Sequence, residues 1–243
     1  MQTLTVVSRK GGSGKTTVAV SLALAAQQAG LKVVLADVDP LQSAAEVLRS
    51  RPEASSFLFE STPSKLFILQ DACRQHGCDL LVVDTPTAPE ADILRAVNVS
   101  DFCLAVARPT ALDIAAIRQT TALVERTGCP GLLVLNQCPA RRDGEEPLQV
   151  RQALERLHFS RLPVAAAKLR SRAAYQHAFA HSKAVTEWDP GSDAAADVLR
   201  LLAEISERMV IGRAAAPRAA GKLPMGLAPV RSLLGRVAAI AKD

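Results

Sequence analysis

Apolar residues gather in six short runs, 4–7, 32–36, 80–83, 102–106, 131–135 and 162–166. Each is rich in Val, Leu or Ala without polar alternation, as expected of strands buried on both faces. The stretches between them carry helical spacing: 15–29, 41–50, 64–75, 89–97, 112–126, 147–157 and 193–210. Strands alternating with helices predict right-handed crossovers and an α/β fold with a doubly wound, mainly parallel sheet flanked by helices. In such a sheet the ligand lies outside the carboxyl ends of the strands. Gly30 is placed to end the first helix, and residues 139–147 form a polar loop.

Those strand ends carry the chemistry. The first run feeds Lys10-Gly11-Gly12-Ser13-Gly14-Lys15-Thr16-Thr17, a glycine-rich loop that opens a helix. Glycines let successive backbone N–H groups turn toward phosphate oxygens, and the helix adds its positive end to the same spot. Lys15 is placed to reach the outer phosphates and the Thr16 hydroxyl to ligate magnesium. The usual phosphate loop would carry glycine at position 9, where this chain has Arg9, and a second lysine, Lys10, heads the loop. The second run ends Asp37-Val38-Asp39-Pro40, with two carboxylates on one side of a strand. The third ends in Asp84-Thr85-Pro86, the fourth leads to Arg108-Pro109-Thr110-Ala111-Leu112-Asp113, and the fifth ends at Asn136-Gln137.

Composition narrows the field. Only 3% of residues are aromatic, which argues against base-stacking recognition of single strands. No run of 18 uncharged apolar residues is present, and the N-terminus lacks the order of a signal peptide. The five cysteines (73, 78, 103, 129 and 138) form no Cys-x-x-Cys pair and are expected to be reduced thiols. Net charge is +5, and residues 212–243 hold six basic groups against Asp243, leaving 23 charges of each sign in the rest. Residues 1–211 therefore read as one neutral domain, and 212–243 as a basic tail that begins with an Ala, Pro and Gly-rich linker over 212–230.

The loop Lys10–Thr16, with the carboxylates that follow it, resembles the deviant Walker A ATPases: the ParA/MinD partitioning and positioning proteins and nitrogenase iron protein. The resemblance spans residues 1 to about 210 and is nearest to the compact ParA partition ATPases, which lack an N-terminal helix-turn-helix. It implies a phosphate-loop NTPase fold and Mg2+-dependent hydrolysis of ATP. Gly11, Gly12, Ser13, Gly14, Lys15, Thr16 and Thr17 would hold the phosphates. Asp39 would activate the attacking water, with Asp37 supporting the metal shell and Asp84 joining Thr16 in holding magnesium. Asn136 would contact adenine. Lys10 would cross into a second subunit and stabilise charge there, making an ATP-bound homodimer. Asp39 as a helix N-cap, Thr110 as a helix N-cap and Asn136 as a turn residue are the plainer readings. Leu41 stands where the family commonly has Gln.

Residues 168–190 run through an Arg-rich turn, an Ala/aromatic helix, Lys183 and an acidic-Pro segment. This order is similar to the C-terminal part of the compact proteins, where basic residues of both subunits bind DNA without sequence preference. Lys168, Arg170, Arg172 and Lys183 are the candidates here, with an ordinary solvated basic face as the alternative. Tyr175, Phe179 and Trp188 read as packing residues. The resemblance further implies a cytoplasmic, nucleoid-associated protein with a separate ParB-like or cargo-adaptor partner that stimulates hydrolysis. Residues 227–242 have the spacing of a short basic amphipathic helix, open to DNA or partner contact, to disorder, or to weak membrane binding as in a MinD-like regulator. Absence of Cys-x-x-Cys argues against an iron–sulfur carrier.

Overall fold

The computed structural model describes residues 1–214, with side chains through Met209. Six strands, β1 (Gln2–Val7), β2 (Val33–Asp37), β3 (Leu58–Glu60), β4 (Leu80–Asp84), β5 (Phe102–Ala107) and β6 (Gly131–Leu135), form one sheet. Their order is β3-β2-β4-β1-β5-β6 and every pairing is parallel. All residues of β1, β2, β4, β5 and β6 are buried, which is why these runs carry no polar alternation.

Helices cover both faces. On one, α1 (Lys15–Gln28) is apolar nearly all round and buried from Val18 to Ala26, where it meets α10 (Asp193–Ala214) and α9 (Val185–Trp188). The short helices α2 (Ser43–Leu48), α3 (Ala54–Phe57) and α8 (Ala173–Ala180) complete that layer. On the other face lie α4 (Leu66–Gln75), α5 (Glu90–Asn98), α6 (Ala111–Thr127) and α7 (Leu148–Arg156).

Three expectations change. The run 162–166 forms no strand: Val164 makes a single bridge to Leu133, bonding to β6 resumes where Leu169 N–H donates to the Leu135 carbonyl at 3.0 Å, and a second bridge, Cys138–Arg170, follows past the strand's end. The gap has a cause, since the Ala166 and Ala167 N–H groups donate to Glu204 of α10 at 3.2 Å each instead of joining a ladder. The three-residue edge strand β3 is too short for periodicity to have marked it. Trp188 is 40% exposed, stacked on His181 with ring centroids 4.2 Å apart, whereas Tyr175 and Phe179 pack on the core as expected. The boundary at 211 falls inside α10, and the expectations for the rest of the tail lie outside the described residues.

Candidate functional site

Register brings the chemistry together. Asp84 lies in register with Val6 on one side and Asp37 on the other, so the glycine-rich loop, the paired carboxylates and Asp84 emerge side by side. Ala107 is in register with Leu135, which sets Arg108 beside Asn136.

Gly14 caps α1 at φ 88 and ψ 30, a left-handed conformation that suits glycine. No side chain caps this helix, so the N–H groups of its first turn face the loop. Lys15, only 7% exposed, has its pKa lowered by burial, against the pull of Asp84 and Asp39. It therefore sits among the carboxylates. Lys10 heads the same loop and is exposed. Gly11 and Gly12 are exposed, Ser13 is buried, and Thr16 and Thr17 are half-buried at the start of α1.

Asp84 is fully buried, and burial pushes its carboxyl up to about 7, opposed by the Thr16 hydroxyl and Lys15. Neither neighbour makes a well-formed hydrogen bond to it: both carboxylate oxygens lack a partner among the described residues. Orphaned oxygens of this kind, next to a hydroxyl and two further carboxylates, fit a hard divalent cation. Asp84 and Thr16 are the groups that would hold magnesium, whose role would be to neutralise charge on bound phosphates.

Asp37 is tied to α2. Its Oδ2 accepts from the N–H groups of Ala44 at 2.9 Å and Ala45 at 3.1 Å, and its Oδ1 from Asp39 N–H at 3.2 Å. The residue caps α2 and shapes the turn after β2. Burial raises its pKa against those three bonds. Asp39 is half-buried; its Oδ1 accepts from Leu41 N–H at 2.9 Å, a local turn that aims the carboxylate. Leu41 itself is 81% exposed.

Asn136 reaches the loop from the end of β6. Its Nδ2 donates to the Ser13 carbonyl at 2.8 Å, and the side chain is buried against the loop. The plainer reading of Thr110 holds: its hydroxyl accepts from Asp113 N–H at 3.2 Å and caps α6. Asp113 also receives Arg108 through two bonds, at 2.9 and 3.1 Å. Burial raises the Asp113 carboxyl, but Arg108, Thr110 and nearby Lys10 outweigh it and hold it below its ordinary value. Sequence reasoning missed Glu90, which accepts from Arg9 and from Arg126 at 2.7 Å each and ties the segment after Asp84 to the loop.

The four basic candidates for DNA do not form one face. Arg170 is 6% exposed; its guanidinium donates twice to Glu146, at 2.6 and 2.9 Å, and once to the Pro139 carbonyl at 2.8 Å. It is a structural residue and is withdrawn as a phosphate contact. Arg172 pairs with Asp193 at 3.0 Å, and Lys168 donates to the Ala166 carbonyl at 3.2 Å. Lys168, Arg170 and Arg172 line a cleft of about 1090 Å³ along α10, which Arg141, Arg200 and Arg208 share with Asp193, Asp197, Glu204 and Glu207. The four acids offset four of its six basic groups. Lys183 lies elsewhere, exposed, with Nζ 5.8 Å from the Trp188 ring centroid.

Arg170→Ala is expected to cost about 3 kcal/mol of stability, because it removes the buried partner of Glu146 and leaves that carboxylate only the more exposed Arg141, at 3.0 Å. Arg170 holds the Glu146 carboxyl at about 2, down from 4.5. A depressed carboxyl contributes stability above pH 4.5 that disappears as pH falls through 2. The gap between wild type and variant in urea unfolding should therefore narrow over that window. A constant gap would mean that the ion pair is not its source.

The comparisons agree with this geometry. The chain is 32% identical over 205 residues to a maintenance of carboxysome distribution protein A from Gloeobacter kilaueensis, covering 82% of this chain and 92% of the relative. It is 32% identical over 215 residues to the protein of the same name from Halothiobacillus neapolitanus, covering 84% and 95%. Its fold is similar to that of the septum site-determining protein MinD of Pyrococcus horikoshii, solved with Mg-ADP, at TM-score 0.69 and 17% identity, covering 87% of this chain and 98% of that one. Residues 4–207 match the family described as the CobQ/CobB/MinD/ParA nucleotide binding domain, and the chain belongs to that family.

Proposed function

We propose that this protein is a Mg2+-dependent ATPase that dimerises around ATP and positions an intracellular cargo over DNA. One observation carries the reading: two lysines on one loop occupy opposite environments. Lys15 is buried among Asp84 and Asp39, while Lys10 is exposed on the outer side. Lys15 serves the phosphates of its own subunit, and Lys10 is left to serve the nucleotide of another. ATP binding closes the dimer, Asp39 activates water, and hydrolysis reopens it.

The names of the two relatives concern carboxysome distribution, which supports cargo positioning. Movement over DNA needs a non-specific basic surface, for which Lys168, Arg172 and Lys183 remain candidates. A ParB-like protein or cargo adaptor would stimulate turnover. No helix among the described residues is long and apolar enough to cross a membrane.

The test is binding of arbitrary duplex DNA with ATP, with ADP and without nucleotide, across a salt series. ATP-dependent binding that weakens roughly tenfold or more between 50 and 200 mM salt is the expected result. No binding in any state contradicts the DNA reading. ATP-dependent binding to anionic vesicles, lost on deleting 212–243, would support a MinD-like membrane regulator instead.

A further inference from the structure

Two neighbouring amide side chains reach the glycine-rich loop from the end of β6. The Nδ2 of Asn136 donates to the Ser13 carbonyl at 2.8 Å, and the Nε2 of Gln137 donates to the Gly12 carbonyl at 3.1 Å. A carbonyl oxygen only accepts, so the nitrogen end of each amide must face the loop. The approach is close. A Cβ placed on Gly14 would lie 2.2 Å from Asn136 Nδ2 and 3.3 Å from Gln137 Nε2.

The platform that carries these amides is rigid. Asn136 N–H donates to the Ala107 carbonyl and Cys138 N–H to the Leu169 carbonyl, so the backbone on either side of Gln137 is fixed. Gln137 itself has φ 52, a conformation that residues with a Cβ rarely adopt. From that position the longer of the two side chains reaches Gly12.

The consequence follows from the peptide unit. In a trans peptide the C=O and the following N–H point in opposite directions. Holding the Gly12 and Ser13 carbonyls against Gln137 and Asn136 turns the N–H groups of Ser13 and Gly14 the other way. Those two N–H groups then face the same side as the uncapped first turn of α1.

We propose that Asn136 and Gln137 are positioning residues, a two-amide clamp that sets the peptide planes of the phosphate loop before a polyphosphate arrives. The proposal rests on the reading of this loop as the nucleotide site. The clamp acts on the phosphates, so it makes a prediction that a base contact alone does not. Inorganic pyrophosphate, which has no base, must feel its loss.

The experiment is calorimetric binding of ADP and of pyrophosphate to wild type, Gln137→Gly and Asn136→Asp. Glycine suits the positive φ at 137, so Gln137→Gly removes the amide while keeping the backbone path and the fold. It is expected to weaken both ligands about tenfold with an unchanged or raised thermal midpoint. Asn136→Asp removes the donor but adds a charge that repels both ligands, so Asn136→Ala, which removes the donor without charge, is measured beside it and should also weaken both ligands. Equal pyrophosphate affinity in wild type and Gln137→Gly overturns the clamp while leaving the nucleotide reading in place. Loss of ADP without loss of pyrophosphate in Asn136→Ala overturns it at that residue, in favour of a base contact. A wild-type protein that binds neither ligand overturns the nucleotide reading and the clamp with it.

Discussion

Asp39→Ala is expected to abolish turnover while leaving an ATP-bound dimer intact. The half-buried carboxylate stands beyond the end of β2, and its Oδ1 is fixed by Leu41 N–H at 2.9 Å. That bond fixes the side chain, and in the proposed mechanism Oδ2 would be the oxygen that draws a proton from water. Removing such a base slows hydrolysis by about a thousandfold, without touching the groups that grip the phosphates. Lys15→Ala removes the buried cation from beside Asp84 and Asp39 and should lose nucleotide binding altogether. The two variants therefore separate in sedimentation with ATP: Asp39→Ala runs as a dimer and Lys15→Ala as a monomer, and neither releases phosphate. A monomeric Asp39→Ala that still binds ATP would sink the sandwich mechanism.

The second large effect runs in opposite directions for stability and activity. Asp84→Asn should lose Mg2+-dependent hydrolysis yet make the nucleotide-free protein more stable. Burial raises the Asp84 carboxyl from 3.8 to about 7. The folded protein therefore holds a proton that the unfolded chain releases, and stability falls as pH rises from 3.8 to about 7. Asparagine carries no such cost. The gain should be absent in acid, grow across that window, and reach on the order of 5 °C in thermal midpoint at pH 8. A variant less stable than wild type at pH 8 would mean that Lys15 and Thr16 compensate the buried Asp84 charge fully.

What the sequence made legible was whatever depends on neighbours along the chain. The runs 4–7, 80–83 and 131–135 mark strands because a parallel sheet buries both faces of each residue. Lys10–Thr17 declares itself because a phosphate-binding loop needs its glycines and lysine at fixed offsets. What was hidden depends on partners distant in sequence. Arg170 looked like a surface cation, and nothing local shows that Glu146, in a polar loop 24 residues earlier, takes its guanidinium. Nothing local to Asp37 shows that α2 folds back and offers it two N–H groups. The tie between Asn136 and the loop was hidden because its partner, the Ser13 carbonyl, lies 123 residues away. Positive charge is easy to count in a sequence, but whether it is free is a property of the fold.

The central claim is that Lys10 completes the site of a second subunit. It is tested most directly by mixing two variants that are each inactive alone, Lys10→Ala and Asp39→Ala. In a mixed dimer, one site has its own Asp39 and receives Lys10 from the other chain, while the second site has neither. If Lys10 acts across the interface, an equimolar mixture should recover about a quarter of wild-type phosphate release, since half the dimers are mixed and each has one working site. If Lys10 acts within its own subunit, no site in any dimer is complete. A mixture as inactive as its components would then contradict the account.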